Sequence, residues 1–277
     1  MRRITRGLKS IGDSLTFVGH FAVLMPLLLY LAFKILVTIV YINTPTEPFT
    51  SFWAIFVEGL NGKDLAHYPD FLINIGTILS RLDFLFDVFI LVVAEAMTIM
   101  LVFSLYRHSS IKLGEAFSGS VSKYPKLVAG AIFSSIFLFI AMSLPTLIIK
   151  GSLFTSSTKG ALVSGIAGLL IQPLIIFIIP FIVLKNASPL SAFSKSVRMG
   201  LKNYIEGLTI VTVPFLISLP ITLLEMKTTV IAFRLSPEFL IQLQFASELI
   251  EFISLYVLIG GTTILFSESI GGSEKRS

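Results

Sequence analysis

The feature that most constrains this chain is a series of long apolar blocks separated by short connections. From Phe17 to Ile42 it runs 26 residues with Lys34 as the only formal charge. Comparable blocks occupy 84–106, 127–149, 161–184, 207–224 and 245–266. Each is close to the ~20 residues that a helix, rising about 1.5 Å per residue, needs to cross ~30 Å of hydrocarbon. In lipid, Leu/Ile/Phe blocks of this length satisfy their own backbone only as helices, and the alternating segments of a membrane β-barrel are absent. Only 13% of the residues are charged, against roughly 25% in a soluble domain, too few to build a water-facing surface. The sequence predicts one all-α integral membrane domain over residues 1–277, with about six transmembrane helices arranged as three hairpins.

The distribution of cations sets the expected orientation. Fourteen Lys and Arg fall in the N-terminal tail, 107–126, 185–206 and the C-terminal tail, against six in 43–82, 150–160 and 225–244. The positive-inside bias then puts both termini in the cytoplasm. The net charge of +5 is thereby an orientation signal, and nucleic acid is not an expected partner. The first apolar block exceeds the roughly 7–15 residues of a signal-peptide core, so it reads as the first span. The absence of Cys removes thiolate chemistry, and no cofactor or metal is expected.

The longest outward connection, 43–82, carries Phe52, Trp53, Ile55, Phe56 and Val57, then a second apolar run at Phe71–Leu79. It predicts two short helices lying on the outer membrane face or packed over the span ends. Ser236 and Pro237 mark another helix start that runs into the last span.

Two inward segments share a pattern. Ala116-Phe-Ser-Gly-Ser-Val121 and Ala192-Phe-Ser-Lys-Ser-Val197 are each followed by basic residues, a span, and Ser143-Leu-Pro145 or Ser218-Leu-Pro220. The offsets are 76 and 75 residues, which predicts a duplicated helical hairpin. Leu113, Ala116, Phe117, Val121 and Tyr124 share one helical face, as do Leu190, Phe193, Val197, Leu201 and Tyr204, opposite Lys195, Arg198 and Lys202. Such segments predict basic amphipathic interfacial helices before spans 3 and 5, their cations on lipid headgroups. The N-terminal segment, with Ile4, Leu8, Ile11 and Leu15 beside Arg3, Arg6 and Lys9, reads as a third copy.

The stretch Pro180-Phe-Ile-Val-Leu-Lys-Asn-Ala-Ser-Pro-Leu-Ser-Ala-Phe-Ser-Lys-Ser-Val197 resembles a broad prokaryotic group of six-helix membrane proteins of largely unassigned function. That group includes the membrane domain of some glycerophosphoryl diester phosphodiesterases. The resemblance covers about 107–225 and implies the six-span fold. It supplies no catalytic residues, and the soluble phosphodiesterase barrel has no counterpart in this chain.

Charges at membrane depth cost several kcal/mol unless paired or hydrated, so they are the candidate functional residues. Lys34, Asp87 and Glu95 are candidates for an intramembrane ion pair or an ion pathway. Asp83, Glu248 and Glu251 are candidates for an outer acidic cluster. Pro26, Pro145, Pro173, Pro180, Pro214, Pro220 and Gly260-Gly261 are candidate helix interruptions. P-loop, H-E-x-x-H and G-x-S-x-G motifs are missing, so no enzyme is expected. The preferred reading is a non-catalytic scaffold or subunit of a membrane complex, with lipids, a protein partner or a second copy of itself as partners. The alternative is a small transporter or channel for an ion or small solute using the intramembrane charges.

Overall fold

The structure, a computed structural model, describes residues 2–43, 70–109, 111–148 and 157–274. These residues are helical almost throughout and contain no strand. Helix α1 (Arg2–Leu15) leads through a 3-10 turn at Thr16–Gly19 into α2 (Phe21–Ile42). After α3 (Asp70–Ile73), α4 (Ile75–Phe86) passes through a π-helical turn at Asp87–Leu91 into α5 (Val92–Tyr106). Then come α6 (Leu113–Val121), α7 (Tyr124–Ile148), α8 (Ser157–Ile171), a 3-10 turn at Gln172–Leu174, and α9 (Ile178–Lys185). The chain ends with α10 (Pro189–Lys202), α11 (Tyr204–Glu225), α12 (Thr228–Arg234) and α13 (Phe239–Glu274).

Six segments are long and apolar enough to cross a bilayer: Phe21–Ile42, Ile78–Tyr106, Tyr124–Leu144, Val163–Lys185, Tyr204–Glu225 and Phe239–Gly271. We number them spans 1 to 6. On this basis the chain is an all-α multi-pass membrane protein. Outward-facing side chains agree with that solvent. Ile136, Phe139 and Ile140 on span 3 are 52%, 71% and 52% exposed, a stripe that water would penalise and acyl chains accept.

The last helix is the spine of the fold. It packs against α1, α2, α4, α5 and α11. Around it Leu27, Val92, Ile99, Phe177, Ile182, Ile210 and Phe266 form a shared core, with Phe181 edge-on to Phe266 at 4.9 Å between ring centres. Spans 1 and 2, 3 and 4, and 5 and 6 are each in contact. Helix α1 docks by its small residues. A Cβ on Gly260 would lie 2.7 Å from Ser14 Cβ, so the glycine lets α1 reach the spine at a distance no larger residue permits. Both chain ends share one end of the molecule, where Arg6 Nε meets Glu268 Oε2 at 2.8 Å and Arg107 Nε donates to Ser267 Oγ at 3.0 Å.

The corner between α9 and α10 shows how local sequence sets this path. Asn186 adopts φ 49°, a left-handed conformation that Asn tolerates better than most residues, and ends α9. Ala187 N then donates back to Phe181 O at 3.2 Å. Pro189, which has no N–H to waste, opens α10 three residues later.

Several expected boundaries shift. The run Phe71–Leu79 enters α3 and α4 and continues into span 2, rather than forming a separate surface helix. The expected helix around Phe52–Val57 lies outside the described residues. The last helix begins at Phe239, two residues after Pro237, and does run straight into span 6. Gly260-Gly261 do not interrupt it, because they serve close packing. Pro26, Pro214 and Pro220 lie inside continuous helices, whereas Pro173 sits in a true break.

Candidate functional site

Three residues of span 1 follow the helical four-residue interval, Tyr30, Lys34 and Thr38, and are buried on the face turned to spans 2 and 6. Span 2 descends past them in the opposite direction with Asp83 and Asp87, also one turn apart. The result is an antiparallel ladder. Tyr30 OH donates to Asp87 Oδ1 at 2.6 Å. Lys34 Nζ lies 3.2 Å from Asp83 Oδ1 and 2.5 Å from Glu251 Oε2 of span 6. Thr38 Oγ1 donates to Glu248 Oε1, which also accepts from Gln244 Nε2 at 3.3 Å.

The candidate charges therefore sort differently from what depth alone predicts. Lys34 pairs with Asp83 and Glu251, and Asp87 is held by a tyrosine. Four methylenes let the ammonium reach away from its own Cα, so the lysine joins the group Asp83, Glu248 and Glu251 that was read as a separate outer cluster.

Two cavities flank this ladder. The outer one, about 350 Å³, is lined by Lys34, Ser80, Asp83, Glu225, Gln244 and Glu251, with a hydrogen bond joining Glu225 to Ser247. The deeper one, about 220 Å³, lies among spans 2, 3, 4 and 6 and is largely apolar. Its polar groups include Asp87, Glu95, Ser134, Gln172 and Thr262. Asp87 thus belongs to both the ladder and the deeper cavity.

Glu95 is deep in the protein, yet part of its surface is open where it lines this cavity. Among the described residues it has no hydrogen-bond or ion-pair partner, and the charged group that acts on it is Asp87. Across the cavity, the buried hydroxyl of Thr262 also lacks a partner. Two residues with unsatisfied polar groups lining one cavity mark a place where a polar or charged guest fits. The space exceeds the ~30 Å³ that a single water occupies. Both walls are irregular there: span 2 contributes its π-helical turn and span 4 the residues around Pro173.

Reasoning from charges alone passed over Tyr30, Thr38, Glu225 and Gln244. The first two carried a signal in their four-residue spacing to Lys34. Gln244 stands four residues before Glu248. Thr262 had none, because threonines in apolar spans are common and ordinarily bond their own helix, as Thr98 and Thr263 do here.

Lys195, Arg198 and Lys202 lie far from the ladder, on α10 at the end of the molecule that carries both termini. Among the described residues no group of three His, Asp or Glu is arranged to hold a metal. No known family, curated protein or solved structure matches the chain.

Proposed function

We propose that this protein is a small carrier that moves a cationic solute through the cavity at Glu95. The observation that carries this reading is an unpaired carboxylate in a mainly apolar cavity, deep among four spans. A charge held there alone costs several kcal/mol, a cost that a bound cation offsets. The acidic outer cavity supplies an attractive entrance, and Asp83, Asp87 and Glu95 line the way inward along one helix. Interrupted spans on both sides of the site are a recurrent carrier device.

The finer architecture belongs to the same proposal. The six spans form three hairpins, and α1, α6 and α10 lie in the cytoplasmic headgroup layer of a prokaryotic plasma membrane with both termini inside. Exposed Leu8, Phe117, Val121, Leu190 and Leu201 support this placement. A duplication relates spans 2–3 to spans 4–5. It is supported by two tyrosines in comparable places, four residues out of the 76-residue register, for Tyr124 OH donates to Phe89 O at 3.2 Å and Tyr204 OH to Leu170 O at 2.8 Å, each from the first residue of its span onto the preceding one near its break.

The alternative is a non-catalytic subunit or scaffold. It is favoured by Lys34, whose two carboxylate partners make a finished structural bridge. Proteoliposomes separate the two. The expected result is uptake of radiolabelled tetraethylammonium above that of protein-free vesicles, reduced about tenfold by Glu95→Gln, which corresponds to ~1.4 kcal/mol. Thermal stability should be unchanged. Uptake equal to empty vesicles, or a fully active Glu95→Gln variant, would sink the carrier reading.

A further inference from the structure

A third cavity, about 230 Å³, lies at the end that carries the termini, between α10, α9 and the end of the spine. Its wall carries Lys195, Arg198 and Lys202, which the helical spacing brings to one side, together with Asn203 and Ser269. Among the described residues none of the three cations has an ion-pair or hydrogen-bond partner. The nearby carboxylate Glu268 is already engaged by Arg6 and Tyr106. Asn203 is buried, and the Ser269 hydroxyl is buried without a partner. Three uncompensated cations around a cleft with an unsatisfied hydroxyl are chemically complementary to a compact, multiply charged oxyanion.

We propose that this cleft is a phosphate-binding site. Arg198 offers a planar fork for two oxygens, Lys195 and Lys202 act as point charges on either side, and Ser269 on the same wall brings its hydroxyl to a third oxygen by rotating about χ1. On the other face of the same helix Leu190 and Leu201 are 70% and 64% exposed, apolar surface that suits the acyl chains of phospholipids. A soluble phosphate uses the same cations and leaves those leucines unused.

Native mass spectrometry of the full chain in mild detergent tests the site. The expected result is retention of added phosphatidylglycerol at least about tenfold above phosphatidylcholine, whose choline the three bases repel. Lys195→Gln, Arg198→Gln and Lys202→Gln combined should remove the preference. Ser269→Asp, which sets a carboxylate in the cleft, should do so separately and serves where the triple variant does not fold. A second arm measures thermal stabilisation by inorganic phosphate against chloride at equal ionic strength. Phosphate stabilisation lost in the variants, without lipid preference, assigns the site to a soluble phosphate. Equal retention of the two lipids with no phosphate effect, or a preference that survives both variants, overturns the proposal.

Discussion

Spans 2 and 4 are both interrupted where they line the Glu95 cavity, and they are interrupted by different chemistry. Span 4 breaks at Gln172–Leu174, where Pro173 removes a backbone donor. Its loose groups are collected by a neighbour. Ser196 Oγ, fully buried, donates to Leu174 O at 2.8 Å and accepts from Phe177 N at 3.2 Å. Gly200 admits the contact, since a Cβ there would lie 2.5 Å from Pro173 O. Span 2 has neither Pro nor Gly at its break. Its π-helical turn at Asp87–Leu91 widens the helix locally and is braced by polar side chains: Tyr30 on Asp87, and Lys34 on Asp83 one turn away. One interruption is a closed joint. The other is held by groups that can exchange partners, and under the proposed carrier function those are the groups that would respond to a passing cation.

The largest expected effect comes from removing the brace of span 2. Lys34 is 5% exposed, and Lys34→Met leaves Asp83 and Glu251 without their cation. Loss of one partner of a buried pair costs about 3–5 kcal/mol. Asp83 and Glu251 are 26% and 36% exposed, so about 3 kcal/mol at most is expected once solvent screening is allowed for. Unfolding in mixed SDS micelles measures it. If the carboxylates are the reason for the loss, Lys34→Met combined with Asp83→Asn and Glu251→Gln should recover more than half of it. A triple variant no better than Lys34→Met would mean that the brace works by packing, and the contrast between the two spans would fail.

A smaller effect is expected at the closed joint. Ser196→Ala orphans Leu174 O and Phe177 N together, and an unmet buried polar group costs about 1–3 kcal/mol. We expect roughly 2 kcal/mol, because neighbouring turns take up part of the demand. Ser120, its counterpart 76 residues earlier, donates only to Ala116 O within its own helix. Ser120→Ala should therefore stay within about 0.5 kcal/mol. The same micelle unfolding compares them. Equal losses would mean that span 2 also relies on the serine of the helix that follows it, and that the two interruptions are alike after all.

This contrast also explains how much could be read before the structure. Span positions were legible because hydrocarbon thickness fixes length and composition residue by residue. The break at Pro173 was legible as one of several proline candidates, but not which proline would act: Pro26, Pro214 and Pro220 sit in unbroken helices. The π-helical turn had no signal, since Asp87-Val-Phe-Ile-Leu91 is ordinary span sequence and only tertiary partners make the wider turn stable. Lys34 was recognisable as a charge seeking a carboxylate. Its choice of Asp83 and Glu251 depends on span 6 packing beside it, which hydropathy does not encode. Glu95 stood out in the sequence, but its lack of a partner is a property of the assembled cavity.

The smallest effect bears on what the two spans share. Tyr124 and Tyr204 open spans 3 and 5, and each donates its hydroxyl to a carbonyl of the preceding span, Phe89 O at 3.2 Å and Leu170 O at 2.8 Å. Both bonds lie towards the surface, where water competes for the freed carbonyl, so the net worth of each falls near the lower end of about 0.5–1.5 kcal/mol. Tyr204→Phe should cost about 0.5–1 kcal/mol and Tyr124→Phe less, in keeping with its longer bond. The order matters more than the size. Phe89 O belongs to the π-helical turn, so a Tyr124→Phe loss clearly above that of Tyr204→Phe would make the tyrosine a principal support of span 2's interruption and relegate Tyr30 and Lys34 to a lesser role. A loss in the expected order, with Glu95-dependent uptake unaltered in both variants, would leave the tyrosines as inherited fasteners of a duplicated hairpin and keep the responsive chemistry on the side of span 2 that faces spans 1 and 6.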